Sequence, residues 1–186
     1  MRRPLSSGSP EVVLEESSGV RWSYQCPVRP GSPCVLLEPQ GKQSVFYSLD
    51  PIRGRGERLA TLEGAGFQWG IAFDGSRVAL IDDVRHKGRI VMLTLSDRTW
   101  HEIPVQPGSG ELQDINWAAD GKGFFVTSWL PDSFNLLYVN LAGRVSRLVH
   151  NGHRHWMVNP WPSPDGKYLA FQAQSWDSNV WTIENF

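Results

Sequence analysis

The sequence predicts an all-β protein, a β-propeller built from four-stranded antiparallel blades, with about four blades in its 186 residues. Three observations carry this expectation. An Asp-Gly pair recurs at Asp74-Gly75, Asp120-Gly121 and Asp165-Gly166, at intervals of 46 and 45 residues, and a period of that size suits a repeat of four strands. The segments that follow, such as "RIVMLTL" and "LLYVNL", are nearly continuous apolar runs, whereas a sheet wetted on one face alternates apolar and polar residues. No segment has the apolar spacing of a long amphipathic helix. Hairpin-linked sheets buried on both faces arise when small sheets stack radially.

Local chemistry sets each element. In "WPSPDGKYLAF", Trp161 to Phe171, Pro164 presets φ, Asp165 bonds its local backbone, and Gly166 takes the left-handed conformation that closes a three-residue loop. Strands a and b flank that turn. Weaker copies stand at Trp117 ("WAADGKGFFV") and Trp69 ("WGIAFDGSRVALI"), and Arg29-Pro30-Gly31, which begins 45 residues before Asp74, marks a degenerate fourth copy. After each turn come strand b ("CVLLE", "RVALI", "FFVTSW", "YLAFQA"), strand c ("SVFYSL", "RIVMLTL", "NLLYVNL", "NVWTIE") and strand d.

Leu5 to Leu14 aligns with Asn140 to Val149, so residues 1–16 read as the end of a strand c and a whole strand d. Residues 17–63 then form the degenerate blade, 64–106 and 107–150 two further blades, and 151–186 a final blade lacking its strand d, all within one propeller domain. An orphan strand at one end can complete the blade at the other. Three arrangements follow: a closed four-bladed ring, two chains pairing into eight blades, or the C-terminal part of a longer propeller.

The copies resemble the TolB-like β-propeller repeat, a relative of the WD repeat with the pattern W-S-P-D-G-K-x-L-A-F. The last copy, with "NVWTIENF" after it, is the most similar, and the first departs where Pro30 replaces the aspartate. The order "CPVRPGSPCVL", "LDPIRGRGERLA", "WAADGKG", "DSNVWTIENF" is also similar to the C-terminal propeller of certain bacterial regulators that carry an N-terminal kinase or winged-helix domain. The TolB-like resemblance covers nearly the whole chain, and the likeness to these regulators favours the third arrangement. It implies a sensor or interaction domain of a bacterial regulator, although these residues show no kinase or winged-helix segment.

Composition narrows the function classes. A formal net charge of -1 gives no electrostatic footprint for nucleic acid. No apolar run reaches the roughly 18 residues of a membrane span, and "MRRPLSSGSPEVVLEE" lacks the apolar stretch of a signal peptide. There is no G-x-S-x-G, H-E-x-x-H, Walker loop or C-x-x-C, so neither catalytic residues nor a cofactor are expected. His150, His153 and His155 lie close together, but no third or fourth ligand joins the His153–His155 pair, and the stretch reads as a polar loop without metal. Cys26 and Cys34 bracket a turn between strands a and b. They form either a disulfide or two buried thiols, and the hairpin spacing favours the bond, with an extracytoplasmic, periplasmic setting if it forms.

Nine tryptophans need a structural explanation first. Trp69, Trp117 and Trp161, each shortly before a turn, are expected between blades. Trp129 and Trp176 are expected in turns between strands b and c, and Trp156 in a connection from strand d to strand a. Those loops share a rim opposite the Asp-Gly turns, together with His86, Lys87, Asp132, His153, Arg154, His155 and Asp177. Aromatic anchors and mixed charge on loops of a rigid scaffold suit partner binding, and the other reading folds these rings back over the core. The expected function is a non-catalytic module that binds a protein, peptide or small molecule, alone or as a homodimer. The alternatives are an accessory propeller of a prolyl oligopeptidase-like hydrolase and an inactive structural fragment of a longer propeller.

Overall fold

A computed structural model of the chain describes residues 12, 14, 22–64, 68–81, 88–152 and 155–175, with the backbone alone at 151–152, 155–157 and 175. Its described residues form strands and turns without a helix. The first sheet is β1 (Ser23–Gln25), β2 (Cys34–Gln40), β3 (Gln43–Asp50) and β4 (Gly54–Glu63). The second is β5 (Gln68–Ile71), β6 (Arg77–Ile81), β7 (Arg89–Thr94) and β8 (Thr99–Pro104), and the third is β9 (Glu111–Trp117), β10 (Gly123–Leu130), β11 (Ser133–Asn140) and β12 (Val145–Gly152). In the fourth, β13 (His155–Pro162) pairs with β14 (Leu169–Ser175). Every pairing is antiparallel between sequence neighbours. The orphan strand d at residues 5–14 and the last strand c lie outside the described residues, apart from Val12 and Leu14.

Continuous apolar strands bury both faces because each sheet is sandwiched. In the second blade Val78, Leu80, Val91 and Leu93 pack toward the first blade, against Val35, Leu37 and Phe46. Their neighbours Ala79, Ile81, Ile90 and Ile103 pack the other way, against Ile115, Trp117, Phe124 and Val126 of the third. Period-two alternation thus feeds two cores from one sheet. Among the described residues the four sheets follow one another as an open arc, consistent with a partial propeller.

The hairpin turns differ from expectation by one residue. Ala72 N donates to Arg77 O, Ala118 N to Gly123 O and Ser163 N to Tyr168 O, which leaves four residues in each loop instead of three. The carboxylates of Asp74, Asp120 and Asp165 each accept the amide two residues on, from Ser76, Lys122 and Lys167, and so organise the extra residue. Gly75, Gly121 and Gly166 have φ of 75°, 67° and 69°, the left-handed region that a side chain disfavours.

The tryptophans near these turns are not at equivalent positions. Trp69, Trp117 and Trp161 stand five, three and four residues before their aspartates, and strand residues change face at every step. Trp69 and Trp117 therefore share a face and are buried between blades, with Trp69 Nε1 donating to Ser23 Oγ at 2.9 Å. Trp161 falls on the opposite face and is 54% exposed, contrary to the expectation that all three pack between blades.

Candidate ligand-binding site at the propeller axis

The first strands of the second, third and fourth sheets, β5, β9 and β13, pack in succession along the axis of the arc, and β1 of the first sheet reaches β5 through side-chain hydrogen bonds. Each is an edge strand whose inward backbone groups lack a sheet partner. Side chains fill that need. The Gln25 carboxamide donates to Trp69 O at 2.7 Å and accepts from Ile71 N at 3.1 Å, imitating a neighbouring strand. Close approach of β5 and β9 requires Gly70, where a Cβ would meet Ile115 O and Asn116 Oδ1 at 3.2 Å.

Where these strands reach the Asp-Gly turns, their ends surround a cavity of about 430 Å³. Tyr24, Pro27 and Val28 wall one side, Ile71 and Phe73 form another, and Trp161, Pro162 and Pro164 face them across the axis, with Asn116 as a polar point. None of the lining residues is charged. Tyr24 and Val28 are 56% and 50% exposed, so large apolar surface stands open at the mouth.

One wall is fixed covalently. Cys26 and Cys34 are disulfide-bonded across the first hairpin, with Cα atoms 4.1 Å apart, in the register that pairs Gln25 with Val35. The loop between them docks on the second blade, where Arg29 N donates to Phe73 O at 3.0 Å and Ser32 Oγ to Asp74 O at 3.3 Å.

Between β9 and β13, Asp114 accepts the amide of Asn159 at 3.3 Å, and Asn159 itself has φ of 55° at a bulge in β13. Burial pushes the Asp114 carboxyl above its usual range, against the opposing pull of the Asn159 amide and the Thr127 side chain.

The residues predicted for the opposite rim are placed in part. Trp129 lies within β10, one residue short of the turn expected to hold it, because the tight turn at Pro131-Asp132 lets the strands pair through Leu130 and Ser133. Its ring is 48% exposed and stacks on Phe134, with centroids 6.2 Å apart. Asp132 is exposed beside it. Trp156 and His155 belong to β13, opposite Gln174 and Ser175, rather than to a connection, because strand pairing begins directly at His155. His86, Lys87, His153, Arg154, Trp176 and Asp177 lie outside the described residues. His150 Nδ1 is 2.9 Å from Asn135 Oδ1, and among the described residues no group of three or more His, Cys, Asp and Glu could hold a metal ion. No helix among them is long and apolar enough to cross a membrane.

Tyr24, Gln25, Asn116 and Trp161 form the axial site without having been singled out for it. The parity of Trp161 relative to its turn was the signal available.

With this geometry in hand, similarity to solved structures decides the fold. The structure of TolB from Acinetobacter baumannii superposes with a TM-score of 0.63 at 22% identity, covering 80% of this chain and 36% of that one. A candidate TolB from Agrobacterium tumefaciens gives a TM-score of 0.61 at 18% identity, over 78% of this chain and 51% of that one. The fold is that of β-propeller blades, as in these two structures. A prolyl endopeptidase also matches, with a TM-score of 0.56 at 17% identity over 83% of this chain and 26% of its own. The chain thus spans about a third to a half of the two TolB-type structures. No protein-family model matches the chain. No curated protein matches it either.

Proposed function

We propose that these TolB-like blades are a non-catalytic binding module of a bacterial regulatory protein, which takes an uncharged, apolar stretch of a protein or peptide at the axial cavity. The observation that carries this reading is the uncharged lining, with Tyr24, Val28, Trp161 and Pro164 exposed. Flat aromatic and proline surfaces bind extended apolar segments with little loss of side-chain freedom. The bonded Cys26–Cys34 pair supports an oxidising, extracytoplasmic setting. The test is titration of the chain with a fluorescein-labelled hexapeptide of alternating leucine and proline. Saturable binding that weakens about tenfold or more in Trp161→Ser is the expected result, and equal binding by wild type and variant refutes the axial site.

A second reading is favoured by the prolyl endopeptidase likeness: an accessory propeller of a prolyl oligopeptidase-like hydrolase. Fold likeness alone assigns no chemistry. Turnover of a proline-containing ester or peptide by the purified chain, above buffer, replaces the binding module with an enzyme.

A further inference from the structure

We propose that the cleft between the third and fourth blades is a binding site for a guanidinium group, supplied by an arginine side chain or by a small guanidinium ligand. This site is separate from the axial cavity and borders it at Pro164, which lines both.

The internal repeat supplies the argument. The hairpin closing pairs Ala72–Arg77, Ala118–Gly123 and Ser163–Tyr168 align the last three blades residue by residue. In that alignment Arg77 and Gly123 hold one position, Trp117 and Pro162 a second, and Gly121 and Gly166 a third. At the junction of the second and third blades the protein fills the cleft with its own cation. Arg77 Nη2 donates to Gly121 O at 3.1 Å, and its Cζ lies 4.5 Å from the centroid of the Trp117 ring.

At the next junction the cation is missing, because residue 123 is glycine. A Cβ there would come within 2.7 Å of the Tyr138 ring, which occupies that space instead. A cavity of about 490 Å³ lies at this junction, lined by Asp120, Phe125, Tyr138, Pro164, Asp165 and Gly166, with Ala118 and Ala119. The backbone position that accepts Arg77 at the previous junction recurs as Gly166. Aromatic surface is present as well, since Phe125 and Tyr138 meet edge to face with centroids 5.7 Å apart. The turn carboxylates recur too, Asp120 and Asp165 standing where Asp74 and Asp120 stand at the previous junction, here without the arginine. Asp120 and Asp165 each commit Oδ1 to their own turn, at 3.0 Å to Lys122 N and 3.1 Å to Lys167 N, and Asp165 also takes Ser163 Oγ at 2.6 Å. Lys167 Nζ stands 3.8 Å from Asp165 Oδ2, an exposed pair of little strength. Burial first, and then the Asp120 charge, push the Tyr138 hydroxyl above its ordinary pKa, which agrees with negative potential in the cleft.

A planar cation with donors along its edge suits this set. Its face can lie on Tyr138 or Phe125 while its N–H groups reach carboxylate and carbonyl oxygens. An ammonium supplies the charge but not the plane, so lysine is the weaker ligand.

The test follows 1H–15N spectra and calorimetry of the whole chain during titration with N-acetyl-arginine amide, with the lysine and norleucine amides as comparisons. An Asp120→Asn/Asp165→Asn double variant removes the charge yet keeps the side-chain oxygens that organise the turns. The arginine amide should shift residues 118–120 and 164–166 saturably. Its affinity should fall about tenfold or more in the double variant, and the norleucine amide should not saturate. Three results overturn the site: no saturation by the arginine amide, equal binding by the norleucine amide, or unchanged affinity in the double variant. An octapeptide with one central arginine separates the two sources. Binding tighter than the amide assigns the cleft to a polypeptide's arginine, and equal binding assigns it to a small guanidinium ligand, with the site upheld in both cases.

Discussion

The indole of Trp117 donates Nε1 to the carbonyl of Gly70 at 3.1 Å, tying the first strand of the third blade to that of the second. The ring is fully buried, packs against Phe124 at 4.5 Å, and carries the Arg77 guanidinium on its face. One side chain therefore joins hydrophobic burial, a hydrogen bond and a cation–π contact across a blade junction.

Removing the ring should separate these contributions. Trp117→Phe keeps most of the apolar volume and loses the Gly70 hydrogen bond, for an expected cost of about 1–2 kcal/mol. Trp117→Ala also opens a cavity and should cost about 3–5 kcal/mol. Urea unfolding of both variants checks the order. Equal costs would mean that the hydrogen bond dominates over packing.

The disulfide offers a second test. Cys26 and Cys34 are eight residues apart, and a loop this short contributes about 2–3 kcal/mol in the chain-entropy model. A Cys26→Ser/Cys34→Ser variant should lose that much. Amide exchange in residues 27–33 should also rise more than in β6 or β10, because this loop holds the cavity wall. Uniform acceleration across the chain would show instead that the bond acts on global stability alone.

How much of this was legible in sequence depends on what repeats. The Asp-Gly pairs located the hairpins because their chemistry is local, an aspartate oxygen two residues from its amide and a glycine with positive φ. Apolar runs revealed sheets buried on both faces for the same reason. Parity was harder to read: Trp161 carries the same letter as Trp69 and Trp117, but a shift of one residue sends it from the blade interface to the axial mouth. Gln25 had no local signal, since its partners Trp69 and Ile71 come from another blade. The Arg77-to-Gly123 exchange becomes meaningful only when both junctions are seen.

Asp114 predicts a pH dependence. Its folded pKa is raised by burial, so its contribution favours the fold most when the group is protonated, below the unfolded value near 3.8, and is lost as pH rises through the raised folded value. An Asp114→Asn variant lacks this loss and can still accept the Asn159 amide. Its stability relative to wild type should therefore improve as pH climbs from about 3 to 7. Asp165 has the opposite sign, because the Ser163 and Lys167 hydrogen bonds hold its pKa down and its contribution is lost in acid. Denaturant melts at several pH values measure both slopes. A flat difference between wild type and Asp114→Asn would place the Asp114 carboxyl in water.

Trp161 and Trp69 make the final contrast, because similar sequence settings should yield opposite consequences. Trp69 is buried against Phe46, with ring centroids 6.0 Å apart, so Trp69→Ser should destabilise by about 3–5 kcal/mol. Trp161→Ser removes a half-exposed ring and should change stability by less than about 1 kcal/mol. A surface tryptophan that contributes little to the fold remains free to contact a ligand. Thermal melts that find Trp161→Ser as damaging as Trp69→Ser would make the axial ring a structural element, and the apolar mouth would then lose its main candidate anchor.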